Sequence, residues 1–145
     1  MSTHADIIVR NPDTGCFASI YCHSDGYLGY TGKNLVAHFT DFDTVCALVS
    51  KGGLRGVDET VAASQGYHEW RNEELRITIS AELSDHAEME YSYLFNNGEW
   101  FYTTNGNMDN WRSLANNATV DLSTIHVGNA NSWAVFNNLL DAANA

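Results

Sequence analysis

The stretch Glu90-Tyr91-Ser92-Tyr93-Leu94-Phe95, then Asn96-Asn97-Gly98, then Glu99-Trp100-Phe101-Tyr102-Thr103 constrains the fold more than any other part of the chain. An Asn-Gly step readily adopts the left-handed backbone of a type I′ turn, and aromatic runs on either side suit a pleated, half-buried surface. The segment therefore predicts an antiparallel hairpin. So many rings on two strands predict that both faces are at least partly covered, one by the core and the other by a helix, a tail or a partner.

A second hairpin is predicted near the N-terminus. Residues 5–10 and 16–22 are short and β-prone, and Asn11-Pro12-Asp13-Thr14-Gly15 between them holds the only proline and ends in glycine. Alternation places Cys16, Ala18, Ile20 and Cys22 on a small apolar face that reads as core. Phe17, Ser19, Tyr21 and His23 share the opposite face, which makes His23 accessible. Residues 35–39 predict a short helix carrying Leu35, Val36 and Phe39. A second helix is predicted over 43–50, with Asp41 or Asp43 as cap, Val45, Leu48 and Val49 as buried stripe and Lys51-Gly52-Gly53 as stop.

Residues 54–74 read as a turn and then a long polar surface excursion. Residues 75–80 alternate as a strand with Leu75, Ile77 and Ile79 inward. Residues 105–111 are loop-like, 112–118 suit a helical turn, and 121–127 suit a last strand or extended segment. From Asn131 onward Trp133, Phe136, Leu139 and Leu140 recur at helical spacing, which predicts a terminal helix docked on the sheet. The sum is one α+β domain over residues 1–145: an antiparallel sheet of four to five strands with two or three helices packed mainly on one face.

Composition narrows the function classes. Hydrophobic residues make up 44% and charged residues only 17% of the 145, a globular balance despite a net charge of −11. No apolar run approaches the roughly 18 residues that span a bilayer, and the N-terminal residues lack a basic region followed by an apolar one, so a cytoplasmic protein is expected. With 18 Asp and Glu against 7 Lys and Arg and no local basic patch, the chain repels nucleic acid. A basic protein surface or a small molecule is the better partner. Acidic residues gather from Asp58 to Glu90, and Glu69, Glu73, Glu74 and Glu82 are the candidates for a negative binding face.

Catalytic and metal motifs are missing from the sequence. Cys16, Cys22 and Cys46 form no CxxC pair and read as reduced core thiols. His4, His23, His38, His68, His86 and His126 contain no i, i+4 pair, and there is no phosphate loop, HExxH or GxSxG. No metal, no cofactor and no catalytic residue is assigned. The one concentrated constellation lies in Ile20-Tyr21-Cys22-His23-Ser24-Asp25-Gly26-Tyr27-Leu28-Gly29-Tyr30-Thr31-Gly32-Lys33-Asn34-Leu35, where a strand hands over to a helix. On an extended chain His23 and Asp25 point to the same side, so the carboxylate would orient the imidazole as in a general base. A plain turn explains the same residues, with Asp25 bonded to its own backbone and Gly26 left-handed. Tyr27 and Tyr30 offer flat contact surface. His23, Asp25, Tyr27 and Tyr30 therefore stand as binding candidates.

This run resembles a family of small bacteriophage and prophage proteins in which a strand ends in Tyr-x-His-x-Asp-Gly-Tyr and passes through a glycine into a helix. Val45, Leu48 and Gly52-Gly53 look like that family's glycine-ended helix, and Tyr93-Leu94-Phe95-Asn96-Asn97-Gly98-Glu99-Trp100 looks like its closing hairpin. Leu28 departs from the proline common at that place. The resemblance covers roughly residues 5–103 and implies a phage setting, inside a bacterial host cell, but no reaction. Together with the acidity it leads to the expectation of an inhibitor of anti-CRISPR or antirestriction type, occupying a basic nucleic-acid-binding surface of a host protein. Two alternatives stand beside it: a module that binds or hydrolyses a nucleotide-derived signal at the His23/Asp25 loop, and a phage assembly component whose aromatic hairpin is buried in a homo-oligomer.

Overall fold

A computed structural model describes residues 3–67 and 75–122. The expected terminal helix, and all but the first two residues of the expected last strand, lie outside the described residues. Both hairpins are where the sequence places them. Strands β1 (Ala5–Arg10) and β2 (Phe17–Cys22) pair antiparallel, with Ala5 opposite Cys22 and Arg10 opposite Phe17. Their turn is set locally: Asn11 Oδ1 accepts from the Asp13 N–H at 2.9 Å, and Gly15 takes φ +75°.

The chain then forms a π-type turn over Leu28–Gly32, helix α1 (Lys33–His38) and helix α2 (Phe42–Val49). Asp41 caps α2, its carboxylate accepting from the Thr44 N–H at 2.8 Å, which holds that carboxyl below its usual range. Strand β3 (Thr78–Ser80) and a single 3₁₀ turn (Leu83–Asp85) precede the second hairpin. There β4 (Tyr91–Asn96) and β5 (Glu99–Thr104) are joined by Asn97 at φ +51° and Gly98 at φ +83°, the signature of a type I′ turn. The two-residue strand β6 (Arg112–Ser113) lies against β5.

Three expectations need correction. Among the described residues the sheet has six strands rather than four to five, in the order β3-β2-β1-β4-β5-β6, and it is mixed, because β1 and β4 run parallel. β2 carries the chain back to the end where β1 begins, and the segment between β3 and β4, with its 3₁₀ turn, carries it back a second time, so that β4 starts beside Ala5 and runs parallel to β1. The expected strand over 75–80 shrinks to three residues, since only Phe17, Ala18 and Ser19 of β2 pair with it. Leu75 is 37% exposed, with its side chain laid over Gly52, while Ile77 and Ile79 rest partly buried on the core. The expected helical turn over 112–118 is instead β6 and a tight loop in which Asn117 takes φ +61°.

Alternation along the central strands builds two cores. On one face Ala5, Ile7 and Val9 meet Ala18, Ile20, Tyr93, Phe95, Trp100 and Tyr102 beneath both helices, through Leu35, Phe39, Val45 and Leu48. Val36, expected to pack here, is exposed. Trp100 Nε1 donates to the Phe39 carbonyl at 2.8 Å and ties β5 to the end of α1. On the other face Ile8, Phe17, Leu94, Phe101 and Trp111 form a smaller cluster edged by Leu83, Val120 and Leu122. The aromatic hairpin is thus covered on both sides.

Asp6 is the unexpected member of β1. It is 7% exposed, and one carboxylate oxygen accepts from the N–H groups of Glu88 and Met89 and from Ser92 Oγ at 2.8–2.9 Å. Burial pushes this carboxyl above its usual range, although those three donors pull it down. Its ionised form therefore loses native stability as pH rises through the raised value. Asp6→Asn retains an acceptor without charge and should stay within about 1 kcal/mol of the parent at neutral pH. Asp6→Ala strands three donors and should cost about 2–4 kcal/mol by urea denaturation.

Candidate functional site

The strand-to-helix stretch is held by its neighbours rather than by itself. Beyond β2, the His23 N–H donates to Leu54 O and the Ser24 N–H to Arg55 O, each at 2.9 Å, so the first residues of the long excursion lie beside the stretch. That excursion is pinned more firmly than its polarity suggests: Leu54, Val57 and Ser64 are fully buried, and Lys51 Nζ donates to the carbonyls of Val61 and Ser64.

The turn itself is at Asp25, with φ +56°. Gly26, expected to be left-handed, is needed for a different reason. A Cβ there would lie 2.8 Å from Ala5 Cβ and 2.9 Å from Thr3 O, because the loop crosses the start of β1. The Gly26 N–H donates to Thr3 O at 2.8 Å, Tyr93 Oη donates to Gly26 O at 2.6 Å and Thr31 Oγ1 to Asp25 O at 2.7 Å. The loop's carbonyls are thereby fixed from the core. Gly26→Ala should cost about 2–4 kcal/mol in a denaturation experiment. Gly29→Ala, whose added atom would approach nothing closer than the Tyr27 ring at 3.5 Å, should be tolerated within about 1 kcal/mol.

This geometry separates the residues that the sequence grouped. His23 bonds through Nδ1 to Tyr21 Oη at 2.8 Å, and no hydrogen bond joins it to Asp25 among the described residues. His4, which the sequence did not mark for a site, joins them: its Nδ1 lies 2.7 Å from His23 O and 2.9 Å from Tyr21 Oη. A carbonyl only accepts, so His4 Nδ1 carries a proton and donates; Tyr21 Oη–H then donates to His23 Nδ1. The result is a relay His4 to Tyr21 to His23, backed by Tyr67 with its ring 4.9 Å from that of His23 and 5.6 Å from that of Tyr21. Burial, then the neighbouring Tyr67 and Cys22, pushes the Tyr21 phenol up to about 12. All four rings are half-buried.

Asp25 instead lines a pocket of about 300 Å³ with Tyr30, Arg55, Asp58 and Gln65. Tyr30 Oη donates to Asp58 Oδ1 at 2.6 Å, and that bond, then burial, raises the phenol to about 12. Arg55 Nη1 donates to Gln65 Oε1 at 3.2 Å. Tyr27 stands apart, 43% exposed at the start of the π-type turn.

Glu82 lies on the other face of the sheet. It edges a groove of about 700 Å³ floored by Phe17 and Trp111 and walled by Leu83, Met108, Val120 and Leu122, with Asp109 and Asp121 also at the rim. Among the described residues no Lys or Arg lines it. Glu69, Glu73 and Glu74 lie outside the described residues. Among the described residues no group of three His, Cys, Asp or Glu side chains could hold a metal ion, and no helix is long and apolar enough to cross a membrane. Cys16, Cys22 and Cys46 are buried free thiols, and burial raises Cys22 to about 11 and Cys46 to about 12.

A buried pair near the groove also went unmarked in the sequence. Ser19 Oγ and His86 Nδ1 are 2.5 Å apart, and His86 Nε2 lies 3.3 Å from Ser80 O. The carbonyl fixes the tautomer: Nε2–H donates to Ser80 O and Nδ1 accepts from the serine. Both side chains are enclosed, so the pair fastens β2 and the end of β3 to the 3₁₀ turn rather than meeting a substrate. Desolvation lowers the His86 pKa below its usual 6.5, so the folded state resists the proton that the unfolded chain accepts. Stability should therefore fall as pH drops below 6.5 toward the lowered native value, and His86→Asn should flatten that slope in pH-dependent thermal melts.

No protein-family model, no curated protein and no solved structure matches this chain. Its class rests on the fold just described: a mixed six-stranded α+β sheet with helices on one face and an acid-edged groove on the other.

Proposed function

We propose that this chain is a small acidic protein of bacteriophage type that binds and inhibits a host protein, as an anti-defence inhibitor of the anti-CRISPR or antirestriction kind. It acts in the cytoplasm of the bacterial host and occupies a basic nucleic-acid-binding surface. The observation that carries the reading is the groove on the sheet face opposite the helices, where Glu82 and Asp109 stand over an apolar floor with no Lys or Arg among the described residues of the lining. Such a surface attracts a basic partner from a distance and offers it an apolar seat on arrival. The net charge of −11 supplies the long-range field.

A second reading keeps the small-molecule alternative, and the pocket of Asp25, Tyr30, Arg55, Asp58 and Gln65 favours it, since carboxylates, a phenol, a guanidinium and an amide converge on about 300 Å³. Phage plating on bacteria with an active CRISPR or restriction system separates the two. Expression of the wild type should raise plating efficiency by orders of magnitude. The pair Glu82→Lys and Asp109→Lys should abolish the effect, while His23→Ala and Asp25→Asn should leave it nearly intact. The reverse pattern would assign the function to the small-molecule pocket, and unchanged plating across defence systems would refute inhibition.

A further inference from the structure

The open end of the β1–β2 hairpin gathers three rings. Ala5 stands opposite Cys22, so one step beyond that pair His4 and His23 face each other across the two strands. Alternation puts Tyr21 on the same face as His23. The two imidazole centroids are 5.1 Å apart. The polar atoms converge: Tyr21 Oη lies 2.9 Å from His4 Nδ1 and 2.8 Å from His23 Nδ1, and His4 Nδ1 lies 2.7 Å from His23 O. All three rings are half-buried, so solvent reaches the cluster.

We propose that His4 Nδ1, Tyr21 Oη and His23 Nδ1 form a binding site for a divalent transition-metal ion, with copper(II) the preferred one. The site is independent of the acidic groove and goes beyond the inhibitor reading. Donor chemistry selects the ion. Imidazole suits copper, zinc and nickel, whereas calcium and magnesium ask for oxygen throughout. Of the divalent series, copper(II) is held most tightly by a given set of nitrogen and oxygen donors. Spacing points the same way. With bonds of about 2.0 Å, neighbouring donors stand about 2.8 Å apart in a square-planar site and about 3.3 Å apart in a tetrahedral one. The contacts here span 2.7–2.9 Å, the edge length of the square-planar site that copper(II) favours. Hydrogen-bonded groups share that spacing, so the metal-free cluster is held in shape by the protons that the ion replaces. On binding, three metal–ligand bonds form and Tyr21 releases its O–H proton to solvent. The His4 proton passes from Nδ1 to Nε2 through solvent, so one proton leaves per ion. The His23 carbonyl loses the His4 proton and gains the cation in its neighbourhood instead. Paired strands fix the donors beforehand, and the net charge of −11 draws cations toward the chain.

The test is a titration of the untagged, full-length protein with copper(II) at neutral pH, read by visible absorption and by electron paramagnetic resonance. Burial pushes the metal-free Tyr21 phenol up to about 12, so a phenolate-to-copper charge-transfer band appears only when copper sits on a tyrosine oxygen. The band should saturate at one ion per chain, and the nitrogen hyperfine pattern should count two imidazoles. Tyr21→Phe should abolish the band and weaken binding about tenfold or more, and His4→Gln should weaken it similarly and leave one imidazole in the pattern. His38→Gln, which alters a histidine of α1 outside the cluster, should change neither spectrum. Zinc should compete only in excess, and calcium and magnesium should not compete at all. Copper bound without the band, a pattern with a single imidazole, displacement by calcium, or undiminished binding by Tyr21→Phe would overturn the proposal. The wild-type band and hyperfine count decide the matter even where a variant fails to fold.

Discussion

The double burial of β1 governs the rest of the structure. Ile7 and Val9 point into one core and Ile8 into the other, with Asp6 beside Ile8 on the smaller face. A strand hidden on both faces must also have both edges paired, because no water reaches its backbone groups. β2 satisfies one edge by a hairpin, and β4 satisfies the other by a parallel ladder. Asp6 secures that second edge by gathering the backbone N–H groups of Glu88 and Met89 just before β4 begins. β2 and the segment that carries the 3₁₀ turn return the chain to the end where β1 and β4 begin, while the helices lie between β2 and β3 and cover one face of the sheet.

The tyrosine-rich loop takes its shape from the same strand. Gly26 passes so close to Thr3 and Ala5 that the loop is built against the beginning of β1, and Tyr93 from β4 holds its carbonyl. With Asp25 left-handed, His23 and Asp25 serve two different neighbourhoods: an imidazole and phenol relay on one side, a pocket with two carboxylates on the other. Proximity in sequence therefore misleads here. Residues two apart share a side only while the chain stays extended, and a single φ above zero ends that.

What the sequence disclosed follows the range of the forces involved. The Asn97-Gly98 turn, the Gly15 corner and the Asp41 cap are decided within a few residues and were legible. The parallel ladder between β1 and β4 joins positions more than eighty residues apart and carries no local mark, so an all-antiparallel sheet was the natural expectation. Phe17 and Ser19 were placed on an open face because nothing nearby announces that Trp111 and His86 will cover them. Leu75 reads as a strand residue by alternation, but β2 offers partners only as far as Phe17. The groove was legible only through Glu82; its floor and its other acids come from segments that meet in the folded sheet alone.

The outermost described strands, β3 and β6, are three and two residues long. A sheet rich in tyrosine, phenylalanine and tryptophan would invite aggregation if it ended in a long bare ladder, because any extended chain could copy its hydrogen bonds. Among the described residues, edge strands this brief offer foreign strands little run on which to register. Under the proposed function, capture of a partner would proceed through side chains on a face, where sequence matters, and not through backbone pairing at a rim, where almost any sequence would do. Brevity at the margins thus works as a filter on what the protein can hold.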